Sequence, residues 1–177
     1  MLIRVAVIED HPLMLQAVVR DLEAHEDIEV VGTAAHGAEL HRLVRETFPD
    51  VVILDLGFAG GFEPVSAVKA LRQTHPSVQV LVFTAYNNAV WVRELLAAGV
   101  RGYVLKSDDL SLRLPEGVRA VHRGERFYSP GVMERILSSR EDAAFLSDQE
   151  FTVLHLMARG LSNVCIGREL GLAEGTV

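Results

Sequence analysis

Apolar residues come in short runs at near-regular intervals: LIRVAVI at 2–8, IEVVGT at 28–33, VVILD at 51–55, VQVLVFT at 78–84 and GYVLK at 102–106. Val and Ile dominate most of them, as strands buried on both faces require. Between the runs the period changes. In PLMLQAVVRDLEAH (12–25), Leu15, Val18, Val19 and Leu22 recur at helical spacing. AELHRLVRETF (38–48), VSAVKALRQTH (65–75), NAVWVRELLAAG (88–99) and PEGVRAVHRG (115–124) repeat that pattern. Gly99 reads as a helix stop and Pro115 as a first-turn residue. Strict alternation of strand and helix predicts an α/β fold over residues 1–124. The sheet should be five-stranded, parallel and doubly wound, a flavodoxin-like (βα)5 arrangement with helices on both faces.

The pattern then breaks. Residues 125–145 are polar and mixed, and read as a linker with a short helix near 131–138. Helical periodicity returns over 146–177, where Ser147 and Glu150 form a capping-box pair. Two helices are expected there, at 147–159 and 162–170, with Gly160 and Gly171 as stops. The chain thus divides into an α/β body, a linker and a small all-α segment.

Composition narrows this picture. A net charge of −7 gives no general reason to expect binding to nucleic acid or to a membrane surface. The single cysteine, Cys165, excludes an internal disulfide framework and a cysteine metal cluster, and reads as a small buried helix residue. The N-terminal apolar run is too short for a signal peptide and acids follow it directly, so a cytoplasmic protein is expected. No window approaches the length of a membrane span.

Chemistry enters at the strand ends. In open parallel α/β sheets, sites lie beyond the carboxyl ends of the strands. The first strand ends in Glu9 and Asp10, the third in Asp55, the fourth in Thr84 and the fifth in Lys106. Each residue alone has an ordinary reading, as a cap, a turn residue or a solvated lysine. Their coincidence at successive strand ends gathers three carboxylates, a hydroxyl and an ammonium along one edge. Carboxylates that close repel one another unless a cation sits among them, and Mg²⁺ suits an oxygen-only set. A lysine beside a hydroxyl can hold the oxygens of a phosphoryl group. An aspartate such as Asp55 can accept that group as an acyl phosphate. His11 is read as the turn residue before Pro12, with contact to this site as the alternative. The other histidines show no metal-ligand spacing.

VIEDHPL, VVILDL, VFTAY and GVRGYVLKSD resemble the signature segments of bacterial response-regulator receiver domains over about residues 1–124. The resemblance implies that Asp55 accepts phosphate from a sensor histidine kinase. It implies Mg²⁺ bound by Asp10, Asp55 and the Gly57 carbonyl, with Glu9 acting through water. Thr84 and Lys106 would hold the phosphoryl oxygens, and Tyr103 would be the switch aromatic that moves with Thr84. A homodimer on activation is also implied, through the fourth helix, fifth strand and fifth helix, or through the first and fifth helices. The loop after the acceptor departs from the family. The usual proline and glycine are replaced by Ala59 and Glu63, and GFAGGFEP reads as flexible through Gly57, Gly60 and Gly61.

LSDQEFTVLHLMARGLSNVCIGRELGLAEGTV (146–177) resembles the start of a LuxR/NarL-type helix-turn-helix. Ser162, Asn163, Thr176 and Val177 are the positions where the resemblance implies DNA contact. Thr176 and Val177 would open the recognition helix, and nearly all of that helix is expected to be missing from a chain ending at Val177. Arg159 and Arg168 stand against Asp148, Glu150, Glu169 and Glu174, so the segment's net charge is 2 − 4 = −2. Promoter DNA is therefore a partner for a complete protein, and the 177-residue chain should bind DNA weakly. A tight duplex complex in a gel shift at physiological salt would overturn that expectation.

Three other readings compete. A phosphatase with an aspartyl nucleophile needs a second Asp two residues on, where Gly57 stands. A nucleotide-binding module needs a glycine-rich first turn, where IEDHPL stands. A receiver working without phosphate, as a protein-interaction switch, is the alternative that the GFAGGFEP loop keeps open.

Overall fold

A computed structural model of the chain describes residues 2–58, 61–86, 88–108, 110–133 and 170. The chain divides into two units, Met1–Ile136 and Leu137–Val177, and the elements below belong to the first. The expected helices at 147–159 and 162–170, together with Ser162, Asn163, Cys165, Thr176 and Val177, lie outside the described residues, as do Ala59 and Gly60. Leu170 is helical.

The strands are β1 (Ile3–Ile8), β2 (Ile28–Ala34), β3 (Val51–Leu54), β4 (Gln79–Thr84), β5 (Gly102–Leu105) and β6 (Phe127–Tyr128). The helices between them are α1 (Pro12–Glu23), α2 (Leu40–Thr47), α3 (Pro64–Thr74), α4 (Ala89–Ala97) and α5 (Leu110–His122). All strand pairs are parallel, in the order β2-β1-β3-β4-β5-β6. The parallel, doubly wound α/β sheet is as expected, with one strand more. β6 lies in the segment read as linker, and its two residues are too short to register as an apolar run. Backbone bonds hold it: Phe127 N–H donates to the Arg101 carbonyl at 2.9 Å and Ser129 N–H to the Tyr103 carbonyl at 3.0 Å.

Alternation along each strand feeds two cores. Val5, Val7, Ile53, Leu81 and Val104 meet Val18 and Leu22 of α1 and Leu114, Val118 and Val121 of α5. Ala6, Ile8, Val52, Leu54, Val80 and Val82 meet the apolar faces of α2, α3 and α4 through Leu43, Val44, Val68, Leu71, Val92 and Leu95. This burial is the main source of the fold's stability. Pro12 and Pro64 open α1 and α3, where a missing N–H costs nothing. Gly99 follows α4 at φ +100°, the left-handed stop its position predicts.

α5 differs from expectation. It starts at Leu110, so Pro115 lies inside the helix and not in its first turn. The proline removes one backbone donor near the N-terminal end, and the buried Leu114, Val118 and Val121 supply the packing that keeps the helix running through it. Arg119 fastens α5 to the turn before β2 through two 2.7 Å bonds to the Asp27 carboxylate. Those bonds hold the Asp27 pKa down to about 2.

Gly102 shows how tight the packing is. A β-carbon there would lie 2.3 Å from Leu81 Cδ1 and 2.7 Å from Val121 Cγ1, both on buried side chains. Gly102→Ala is expected to cost about 1–3 kcal/mol by overpacking. Urea unfolding of the two proteins measures it, and equal midpoints would refute it.

Candidate functional site

The register places the chemical residues before any side chain is considered. Ile8 pairs with Leu54, so Glu9 and Asp55 leave neighbouring strands side by side. Asp55 N–H donates to the Ile8 carbonyl at 3.0 Å. Thr84 pairs with Leu105, and Lys106 N–H donates to the Thr84 carbonyl at 2.9 Å. The strand order reverses at β1 and β3, since β2 lies outside β1. That switch point, at the carboxyl ends, is where open α/β sheets carry their sites.

Glu9 and Asp55 are almost wholly buried, at 2 % and 3 % exposure. Two buried carboxylates need compensation, and Lys106 supplies part of it. Its Nζ lies 2.9 Å from Asp55 Oδ2 and 2.7 Å from Glu9 Oε2. Burial works against the ammonium, but the Asp55 and Glu9 carboxylates outweigh it and raise the lysine's pKa. Nζ also stands 5.8 Å from the centre of the Phe83 ring. Asp55 Oδ1 accepts the Leu56 N–H at 2.7 Å. Glu9 Oε2 has its lysine neighbour but takes no aligned hydrogen bond.

Compensation remains incomplete. Ligand atoms of Glu9, Asp10, His11 and Asp55 lie within 4.8 Å of one another. Three carboxylates against one ammonium leave a formal local charge of −3 + 1 = −2, which one divalent cation would cancel. The oxygen-rich set and the unbonded buried Glu9 oxygen fit a hard ion such as Mg²⁺.

Thr84 is fully buried, and its Oγ1 accepts the Tyr86 N–H at 3.3 Å. Tyr103 is also fully buried, with its hydroxyl donating to the Tyr86 carbonyl at 2.8 Å. Burial pushes the Tyr103 phenol's pKa upward, with the Asp55 charge adding to the effect. Thr84, Tyr86 and Tyr103 are therefore linked by hydrogen bonds through one backbone residue. Gly57 leaves room beside the carboxylate: a methyl there would stand 3.3 Å from Asp55 Oδ2 and 3.5 Å from Tyr86 Cε2.

Glu9, Asp10 and Asp55 thus come together as expected, with Lys106 between Glu9 and Asp55. Two further neighbours join them. His11 touches Asp10, which is the alternative to its reading as a turn residue alone. Tyr86 faces Gly57, a proximity with no signal in the local pattern. The Phe58 and Phe62 rings meet edge to face at 5.3 Å, and Phe62 covers Gly37 so closely that a β-carbon there would fall 2.6 Å from the ring.

The chain is similar to known proteins over most of its length. The family described as the response regulator receiver domain matches residues 5–113, and that of bacterial regulatory proteins, luxR family, matches residues 144–177. The Escherichia coli nitrate/nitrite response regulator protein NarP is 34% identical over 180 residues, which cover 98% of this chain and 83% of NarP. The Bacillus subtilis transcriptional regulatory protein DesR is 33% identical over 178 residues, covering 99% of this chain and 85% of DesR. A LuxR-family two-component response regulator from Aurantimonas superposes with a TM-score of 0.73 at 31% identity, covering 79% of this chain and 99% of that one. RcsB from Salmonella enterica, bound to promoter rprA in the presence of a phosphomimetic, gives a TM-score of 0.74 at 27% identity, covering 98% of this chain and 86% of that one. Such relatives do not favour the phosphate-independent reading.

Proposed function

The chain belongs to the two-component response regulators with a LuxR-type DNA-binding domain, and from that membership we propose that Asp55 is its phosphoacceptor. A carboxylate oxygen of Asp55 attacks the phosphorus of a phosphohistidine on a sensor histidine kinase. An acyl phosphate forms as the P–N bond breaks and the histidine keeps the electron pair. One observation carries the reading. A carboxylate with almost no exposure ends a core strand with an ammonium 2.9 Å away and two further carboxylates beside it.

Asp10, Asp55 and the Gly57 carbonyl would hold Mg²⁺, with Glu9 acting through water. The ion supplies charge neutralisation for the incoming phosphoryl oxygens. Lys106 moves from carboxylate to phosphoryl oxygen, and the Thr84 hydroxyl orients another. In doing so Thr84 gives up its bond from Tyr86, and Tyr103 follows through the Tyr86 carbonyl. This two-state element alters the dimer surface and so promoter binding. Response regulators are transcription regulators and not enzymes in general, and self-phosphorylation at Asp55 is the only chemistry proposed. No helix among the described residues is long and apolar enough to cross a membrane, which accords with a cytoplasmic regulator. We assign residues 1–124 to the receiver, 125–145 to the linker and 146–177 to the output domain, with β6 and Val132 tying the start of the linker to the receiver sheet.

Intact mass after incubation with acetyl phosphate tests the proposal. One phosphoryl group should be gained with Mg²⁺ present and none with a chelator. No gain in a folded protein that binds Mg²⁺ would overturn it.

A further inference from the structure

We propose that Ser129, in the segment after α5, is a positioning residue for phosphoryl transfer: its hydroxyl fixes the end of β5 and so aims the Lys106 ammonium. This rests on the reading above that Lys106 holds a phosphoryl oxygen, and adds to it the residue that holds Lys106.

Parallel strands exchange evenly spaced backbone bonds. Between β6 and β5, Phe127 N–H donates to the Arg101 carbonyl at 2.9 Å and Ser129 N–H to the Tyr103 carbonyl at 3.0 Å. The next bond of this series would run from Leu105 N–H to the Ser129 carbonyl. That carbonyl is already taken. The chain enters a helical turn at Pro130, and the Ser129 carbonyl accepts the N–H groups of Val132 and Met133 at 3.0 Å each. The Ser129 hydroxyl oxygen stands in for it and accepts Leu105 N–H at 3.3 Å.

A serine before a helix ordinarily turns its hydroxyl to the N–H groups of the first turn. Here the hydroxyl goes to β5, and Ser129 is fully buried. Packing keeps it in place. A β-carbon on Gly131 would stand 2.9 Å from Leu105 Cδ1, and Val132 lies fully in the core. Leu105 is buried too, so water offers its N–H no ready substitute for the serine oxygen.

Lys106 follows the strand directly, since β5 ends at Leu105. That end is held on both sides: Lys106 N–H donates to the Thr84 carbonyl of β4 at 2.9 Å, and Leu105 N–H to Ser129. Lys106 Nζ reaches Asp55 and Glu9, 2.9 and 2.7 Å away, on a flexible four-carbon stem. Its precision depends on where the backbone starts. Misplacing such a group by about 1 Å can cost about a hundredfold in rate. A serine that only capped the turn at 130–133 would affect stability with no relation to Lys106.

A double-mutant cycle separates the two roles, with phosphate uptake from acetyl phosphate and Mg²⁺ by the full chain followed as intact mass. Ser129→Ala should slow uptake about tenfold in the parent chain and less than about twofold in Lys106→Met, where no ammonium remains to be misplaced. Ser129→Thr keeps the oxygen and should stay within about threefold of the parent. If circular dichroism shows Ser129→Ala unfolded, Ser129→Cys, with similar volume and a weak acceptor, takes its place in the cycle. In the metal-free protein, amide exchange of Leu105 should speed at least about tenfold in Ser129→Ala. Equal slowing in both backgrounds, or none in the parent, would reduce Ser129 to a cap and leave Asp55 and Lys106 in their roles. An unchanged Leu105 amide would remove the bond on which the proposal stands. No uptake by the parent chain would overturn the Asp55 reading and the proposal with it.

Discussion

Asp55→Asn is expected to take up no phosphate from acetyl phosphate under conditions where the parent chain gains one phosphoryl group. The amide is nearly isosteric, so it can keep the 2.7 Å bond from Leu56 N–H and the backbone bond to Ile8. The change removes the nucleophile, because an amide oxygen does not form an acyl phosphate, and it removes one of the two anions facing Lys106. The fold should survive, since Glu9 still pairs with the ammonium 2.7 Å away. Circular dichroism and intact mass together read the outcome. Native folding with no gain supports Asp55 as the acceptor. An undiminished gain would move the acceptor to another carboxylate, with Asp10 as the nearest choice, and Asp55 would lose its role as nucleophile.

The strand ends are legible in the sequence because a parallel sheet imposes them. VVILD cannot be a buried strand without delivering Asp55 to the carboxyl edge, and GYVLK does the same for Lys106. The pattern also carries both helix faces, since Val18 and Leu22 or Leu43 and Val44 reach the core that their spacing requires. It fails where contacts are not local. β6 exists because two residues find the open edge of β5. α5 runs through Pro115 because Leu114, Val118 and Val121 bury together. His11 is the turn residue its proline predicts, and the pairing of β1 with β3 adds Asp55 to the carboxylates within 4.8 Å of it. Phe58 and Phe62 meet edge to face, an aromatic contact that single-residue propensity does not encode.

Lys106→Met should destabilise the receiver unit by roughly 3 kcal/mol in the absence of divalent ions, the cost of leaving buried charges without their partner. Methionine matches the lysine stem in length and packs in the same channel, so lost packing is a minor part of the change. What disappears is the ammonium between Asp55 Oδ2 and Glu9 Oε2, 2.9 and 2.7 Å from them. The carboxylates then face each other almost wholly out of water. The pH dependence has a definite sign. The folded pKa of Lys106 is raised, so its contribution is fully present below the unfolded pKa of about 10.4 and is lost as pH rises through the higher folded value. The stability gap between parent and variant should be flat from neutrality to about pH 10 and narrow above it. Mg²⁺ should close much of the gap at neutral pH, because a cation among Asp10, Asp55 and Glu9 replaces the missing charge and binds the folded state alone. Mg²⁺ should thus raise the melting temperature of Lys106→Met more than that of the parent chain, even though phosphoryl uptake falls by about a hundredfold for want of the ammonium at the transition state. Equal melting temperatures without metal would mean that water already reaches the pair and that Lys106 is only a surface lysine. A metal-free loss that Mg²⁺ leaves untouched would place the cation away from these carboxylates.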